Sequence, residues 1–163
     1  MTLNPSLTAT LKTLRGRSGA GSATMSGPDG VELTIDFTAV DSMSCSFREI
    51  RLGAPALANA GLDALKAWAD ALCRRVTYLL ENVGPLEVDP EAQQVLVRST
   101  PPDRQSGATT YYEMVLEARS DGSFSLRRYR IDKGTTGREP VDVQVTHEVL
   151  HRLTADLLDT MPT

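Results

Sequence analysis

The stretch Leu57–Asn82, LANAGLDALKAWADALCRRVTYLLEN, decides how the chain is expected to fold. Leu62, Leu65, Trp68, Ala69, Leu72, Val76, Leu79 and Leu80 recur at three- and four-residue steps. At about 100° per residue this spacing gathers them on one stripe of a helix. Asp63, Lys66, Asp70, Arg74, Thr77 and Glu81 fall on the other side. About 20 helical residues span roughly 30 Å, the width of a small domain. The stretch holds the only tryptophan. It is therefore expected to form the floor on which the strands pack.

On its N-terminal side, Asn4-Pro5 opens a short helix with Leu3, Leu7, Leu11 and Leu14 on one face, stopped at Gly16. A weak strand follows over Gly19–Met25, then a turn at Pro28-Asp29-Gly30. Val31, Leu33, Ile35 and Phe37 alternate with Glu32, Thr34, Asp36 and Thr38, the pattern of a half-buried antiparallel strand. In the next strand Met43, Cys45 and Phe47 share one parity while Ile50 and Leu52 have the other. A period of two cannot change parity without an extra residue, which predicts a bulge near Arg48-Glu49.

On the C-terminal side, Gly84-Pro85 ends the long helix. Leu86-Glu87-Val88 and Gln93–Ser99 form paired strands around Asp89-Pro90-Glu91. Thr100–Ala108 reads as a polar loop. Thr110–Arg119 and Ser123–Ile131 form a hairpin about Asp121-Gly122. Two registers are open there. A two-residue turn pairs Tyr112 with Ile131 and Met114 with Tyr129, whereas a glycine bulge pairs Leu116 with Leu126. Asp132–Pro140 is a second polar loop, and Val141–Val145 a short strand. Thr146 caps a last helix with Val149, Leu150, Leu153, Leu157 and Met161 on its apolar face. The elements predict a single α+β domain over residues 1–163. Its antiparallel sheet, in one or two sections, packs on one long central helix, with short N- and C-terminal helices.

The chain has 163 residues, 40% hydrophobic and 23% charged, an ordinary globular composition with length enough for a real core. Twenty-one acidic against 17 basic residues give a net charge of -4, which argues against a general nucleic-acid binder. Two cysteines, Cys45 and Cys73, make no disulfide framework and no Cys-x-x-Cys zinc site. They read as buried reduced thiols. The first residues lack a charged region followed by an apolar run, and no apolar run is long enough to span a membrane. A cytoplasmic location is expected.

The sharpest chemical motif is His147-Glu148-Val149-Leu150-His151, which contains both histidines of the chain. Four residues apart on a helix, the imidazoles lie on one face and can reach one metal ion. The motif resembles the active-site helix of the zincin metallopeptidases. That resemblance implies zinc ligands at His147 and His151 and a general base at Glu148. The pattern departs from the family's beyond these five residues. Thr154 and Leu157 stand where one branch has Gly and His, no Glu follows His151, and Arg152 is charged. Read without the resemblance, the two histidines are boundary residues beside an apolar stripe.

Arg127, Arg128, Arg130 and Lys133, interrupted by Tyr129, make the only dense basic patch. It reads as a solvated strand face pairing with Glu113 and Glu117 across the hairpin, or as an anion or nucleic-acid contact with Tyr129 as stacking ring. No glycine run fits a phosphate loop or dinucleotide fingerprint, and no nucleophile elbow is present. No catalytic, cofactor-binding or metal residue is assigned, and no cofactor is expected. The expected function is a non-catalytic binding or assembly module, a homodimer or protein-binding domain. Its element order is similar to that of small secretion chaperones. The alternative is a zinc-dependent hydrolase built on His147-Glu148-x-x-His151. An open apolar face would favour the module, and a third ligand beside the histidines would favour the hydrolase.

Overall fold

The computed structural model describes residues 3–16, 18–79, 83–99, 103–105, 107–121 and 123–162. Its N-terminal half builds α1 (Asn4–Leu14), β1 (Ser18–Ser26), β2 (Glu32–Val40) and β3 (Ser44–Gly53). Leu7 and Leu11 of α1 are buried, and Leu3, not Asn4, occupies the cap position. Gly16 takes φ 80° just beyond the helix end, a conformation only glycine adopts freely. In β2 the alternation buries Leu33, Ile35 and Phe37 as the sequence requires.

The expected bulge is in place. Ile35 lies opposite Ile50 and Phe37 opposite Phe47, so two steps along β2 match three along β3. The extra residue switches which parity faces the core. Cys45 and Phe47 point inward before it, Ile50 and Leu52 after it. Glu49 and Arg51 are thereby sent to the opposite face of the sheet.

The long central helix does not form. Pro55–Asn59 is a 3-10 turn, and Ala60 and Gly61 are extended. Only then does α2 begin, over Leu62–Arg75, and at 14 residues it is no longer than the last helix. Gly61 carries no Cβ and favours leaving helical geometry. The chain departs again at Val76 (φ -83°, ψ 82°), where β-branched Val76 and Thr77 follow one another. Residues 80–82, including the expected end at Asn82, lie outside the described residues. Val76 and Leu79 are buried all the same, which is why they extended the helical pattern in the sequence. Gly84-Pro85 sits inside a strand and plays no part in ending the helix. The expected architecture, a sheet packed on one long rod, is thus corrected. The fold is a ten-stranded antiparallel sheet with three helices.

The remaining strands are β4 (Val83–Asp89), β5 (Gln94–Ser99), β6 (Asp103–Gln105), β7 (Ala108–Glu117), β8 (Phe124–Asp132), β9 (Glu139–Val141) and β10 (Val143–Thr146), followed by α3 (His147–Thr160). The main path of the sheet runs β1-β2-β3-β8-β7-β5-β4, with β10 paired to β3, β6 to β7 and β9 to β8. Both expected polar loops therefore contain a short strand, although residues 100–102 and 106 of the first lie outside the described residues.

The β7–β8 register is neither of the two expected. Leu116 pairs with Phe124, Met114 with Leu126 and Glu113 with Arg127. The Glu117 N–H donates to the Ser123 carbonyl at 2.8 Å, so the connection is longer than a two-residue turn. This register sets apolar residues opposite one another on the inner face, Leu116 to Phe124 and Met114 to Leu126, and leaves Arg127 and Tyr129 on the other face. Gly122 of the expected turn lies outside the described residues.

All three helices cover one face. The buried residues of α1, α2 and α3 join the inward side chains of the strands in one apolar cluster. Trp68 is 1% exposed and packs 6.1 Å from the Phe124 ring. Its indole N–H donates to Thr160 Oγ1 at 3.2 Å, which ties α2 to α3. Thr146 caps α3 as expected, its hydroxyl accepting from the Val149 N–H at 3.1 Å. Among the described residues no helix is long and apolar enough to cross a membrane.

β3 meets β8 through three residue pairs only, Ile50–Leu126, Arg51–Ser125 and Leu52–Phe124. The backbone at Ser120 and Asp121 crosses Gly53 at the end of this seam, and a Cβ there would lie 2.5 Å from the Ser120 carbonyl oxygen. Gly53→Ala is expected to cost about 1–3 kcal/mol in urea unfolding, as overpacking does. Gly21→Ala in β1, where a Cβ meets nothing within 4 Å, is expected to stay within about 0.5 kcal/mol of the parent. Equal midpoints for the two variants would refute the close approach.

Candidate functional site

With the helices on one side, the other face of the sheet carries a lattice of charged and aromatic side chains. Glu49 and Glu113 are the two buried carboxylates of the described chain, each 6% exposed. Glu49 accepts from Arg51 Nη1 at 3.0 Å and from Arg127 Nε at 2.5 Å. Glu113 accepts from Arg98 Nε at 3.0 Å and from both terminal nitrogens of Arg138, at 2.6 and 3.2 Å. The Arg138 contact is the two-pronged guanidinium–carboxylate geometry that gives the strongest charge-assisted hydrogen bonds.

Rings hold the same cations from above and beside. The Arg138 guanidinium sits 3.8 Å from the Tyr129 ring centroid and donates to the Tyr111 hydroxyl at 3.1 Å. Arg98 lies 5.1 Å over Tyr111. Tyr111 and Tyr129 are cross-strand partners, 5.9 Å apart. The hydrogen bond to Glu113 raises the Arg138 pKa further, and that to Glu49 does the same for Arg127. Both stay charged at any relevant pH. A shallow cavity of about 280 Å³ opens at the centre, floored by Val115 and Ser125 and walled by Glu49, Glu113, Arg127 and Arg138. The arginines keep about 36–46% of their side chains exposed while the acids beneath them are covered. A partner approaching this face meets guanidinium edges and tyrosine rings before it meets carboxylate.

The basic strand of the sequence divides between the two faces. Arg127 and Tyr129 belong to the lattice. Arg128 lies 4.4 Å over the Tyr112 ring and donates to Thr110 Oγ1 at 2.9 Å, while Arg130 pairs with Asp132 at 2.7 Å. The expected partner Glu113 stands directly across from Arg127, yet its carboxylate goes to Arg98 and Arg138. Glu117 is held by Gln94 and Arg119. Lys133 takes no part. Sequence reading missed Glu49, Arg98, Tyr111 and Arg138. In the sequence Glu49 stands out only as part of the bulge, and nothing in the pattern of its strand singles out Tyr111. Arg138 lies in a polar loop with nothing in its neighbours to announce it.

His147 and His151 do share a cavity, about 220 Å³ between α1 and the N-terminal end of α3, lined also by Thr8, Lys12, Arg15 and Ser42. A zinc ion does not fit this donor set. No carboxylate or thiol lines the cavity, and among the described residues no three metal-ligating side chains converge anywhere. His147 Nε2 is engaged with the Ser44 carbonyl at 3.1 Å, and His151 Nε2 faces Thr8 Oγ1 at 3.5 Å. Glu148 is exposed, and Arg152 stacks 4.4 Å over the Tyr78 ring. The zincin resemblance ends at the five letters that carry it. The cysteines are far from reactive, since burial pushes the Cys45 thiol up to about 12 and the Cys73 thiol to about 11.

Burial, and then the charge of His147, lower the pKa of His151 from its ordinary 6.5. Between that ordinary value and the lowered one, the unfolded chain binds a proton that the folded chain refuses. The contribution of His151 to stability is therefore complete above about pH 6.5 and is lost as pH falls toward the folded pKa. The difference in urea midpoint between the parent and His151→Asn should shrink from about pH 7.5 to about pH 5. A difference independent of pH would contradict the burial of this imidazole. Comparison of the chain with protein-family models, with curated proteins and with solved structures finds no match.

Proposed function

We propose that the protein is a non-catalytic binding and assembly module whose working surface is the helix-free face of the sheet. One observation carries this reading: Arg51, Arg98, Arg127 and Arg138 are each already fixed by a carboxylate, and two of them by a tyrosine ring as well. Ordering a long side chain costs about 0.5–1.5 kcal/mol on association. Here that cost is met during folding. Arginine and tyrosine are also the residues that anchor protein interfaces. The lattice holds no nucleophile beside a base and no pair of carboxylates free of arginine, so it supports binding better than turnover.

Replacing Glu113 and Arg138 together by Gln removes both members of a pair and leaves neither charge buried alone. Immobilised parent protein should enrich one or more proteins from a native-cell lysate. Glu113→Gln/Arg138→Gln should lose them, while Lys66→Ala/Arg74→Ala on the exposed side of α2 should keep them. Identical capture by all three, or capture by none, would sink the reading.

Self-association is supported by the edges of the sheet. The main path ends at β1 and β4. β4 carries Pro85, Glu87 and Asp89 and a register shift, all devices that blunt an edge. β1, Ser-Gly-Ala-Gly-Ser-Ala-Thr-Met-Ser, carries neither charge nor proline in nine residues, and its own register shift is confined to its start, between Ser18 and Gly21. Antiparallel pairing of β1 with its own copy satisfies a two-fold axis and sets no like charges against each other. Sedimentation should give twice the 17.7 kDa chain mass, and Ser22→Lys should halve it. A parent chain that stays monomeric at high micromolar concentration would exclude this assembly.

A further inference from the structure

The cavity between α1 and α3 suits a ligand of the opposite kind to a metal. Lys12 and Arg15 come from the exposed end of α1, Ser42 from the β2–β3 turn, and His147 and His151 from the first turn and a half of α3. Among the described residues neither Lys12 nor Arg15 has an acidic partner. This contrasts with Arg48, Arg51, Arg75, Arg98, Arg127 and Arg130, all of which are paired. Asp41, next to Ser42 in the chain, is the acid whose field reaches His147. Its carboxylate is spent on the Met43 and Ser44 N–H groups at 2.9 and 2.7 Å and on the Ser44 hydroxyl at 2.9 Å. It does not line the cavity. In a chain of net charge -4 this is a local concentration of cations without acidic partners. The positive end of the α3 dipole adds to it, and the negative end of α1, where Lys12 and Arg15 stand, offsets part of it.

We propose that this cavity binds the phosphate group of a small phosphate monoester. Lys12 and Arg15 carry two permanent charges, which a phosphate dianion matches and a carboxylate only half matches. The guanidinium takes two phosphate oxygens in its fork and the ammonium acts as a point charge. Thr8 and Ser42 supply hydroxyl donors. The Thr8–His151 contact, at 3.5 Å, is at the outer limit of a hydrogen bond and leaves both groups free to turn to a ligand oxygen. The charge of His147 works against a proton on His151, and an anion between the two imidazoles would relieve that repulsion. The site is separate from the sheet face and stands or falls independently of it.

Calorimetric titration of the untagged full chain with glycerol 1-phosphate, at fixed ionic strength, tests the proposal. Lys12→Glu/Arg15→Glu alters two exposed positions in the cavity lining. Lys66→Glu/Arg74→Glu makes the same change in net charge on the exposed side of α2. Saturable binding is expected for the parent and for the α2 variant, with Kd at least about tenfold weaker in the α1 variant. No saturable binding by the parent, or equal weakening in both variants, would overturn the site. Binding of inorganic phosphate with exclusion of the ester would overturn the ligand class.

Discussion

Three residue pairs hold the sheet together. On one side of the seam between β3 and β8 lie β1, β2 and β10, and on the other β7, β5 and β4. Three rungs of backbone bonding are little for such a junction, and the side chains on both faces make up the difference. Beneath it, Ile50, Leu52, Phe124 and Leu126 are all essentially inaccessible, and Trp68 closes on Phe124 from α2. A single large truncation in such a cluster costs about 2–5 kcal/mol, a large part of the stability of a domain this size. Above it, Glu49 of β3 clamps Arg127 of β8. The bulge at Arg48-Glu49 makes both layers possible, since without the change of parity Glu49 would point into the apolar cluster and Ile50 into water.

That arrangement explains why two carboxylates lie buried on a surface that no helix covers. Burying an ion pair rarely adds net stability, because desolvation offsets most of the attraction. Glu49 and Glu113 contribute register instead. Each accepts from arginines on other strands or on the loop before β9, so a one-residue slip of β3, β5 or β8 would leave a carboxylate covered and unpaired. Such a penalty is large for the wrong pairing and small for the right one, which is how polar groups specify a structure. The same clamps fix the guanidinium and phenol groups of the bare face in place.

Much of the local structure was legible from residues in sequence. The parity change between Phe47 and Ile50 announced the bulge, and Thr146 announced the start of α3. The alternation of β2 gave its inner face. What failed was the extent of the Leu57–Asn82 helix, and with it the architecture. Val76 and Leu79 are buried because the chain after α2 runs along the core, and burial imitates helical periodicity when the spacing happens to agree. The β7–β8 register failed because Asp121-Gly122 looks like a tight turn, whereas matching Met114 with Leu126 demanded a longer connection. The polar lattice was least legible. The basic patch reads as pairing with Glu113 and Glu117 across the hairpin, but Glu49 reaches Arg127 across the seam and Arg138 reaches Glu113 from a loop. Those are relations of topology, which no local pattern encodes. The histidine motif erred the other way, since spacing on a helix places two ligands together without supplying a third.

The division of the sheet into a covered apolar face and a bare polar one limits what can bind there. Among the described residues the large exposed apolar side chains are Met43, Val88 and Ile131. They stand on the β2–β3 turn, on β4 and at the far end of β8, too scattered to form one docking patch. The open apolar surface that would mark a chaperone-like groove is therefore absent from these residues, and hydrophobic burial is not the main term available to a partner. What remains is hydrogen bonding to preorganised guanidinium groups, stacking on Tyr111 and Tyr129, and backbone pairing along β1. The first of these weakens with salt, since exposed charges are screened beyond about 8–10 Å at ordinary ionic strength. The last does not, because a strand edge bonds through neutral amides. Salt should therefore separate the two surfaces in one molecule, loosening contacts on the bare face while leaving an edge-paired assembly intact.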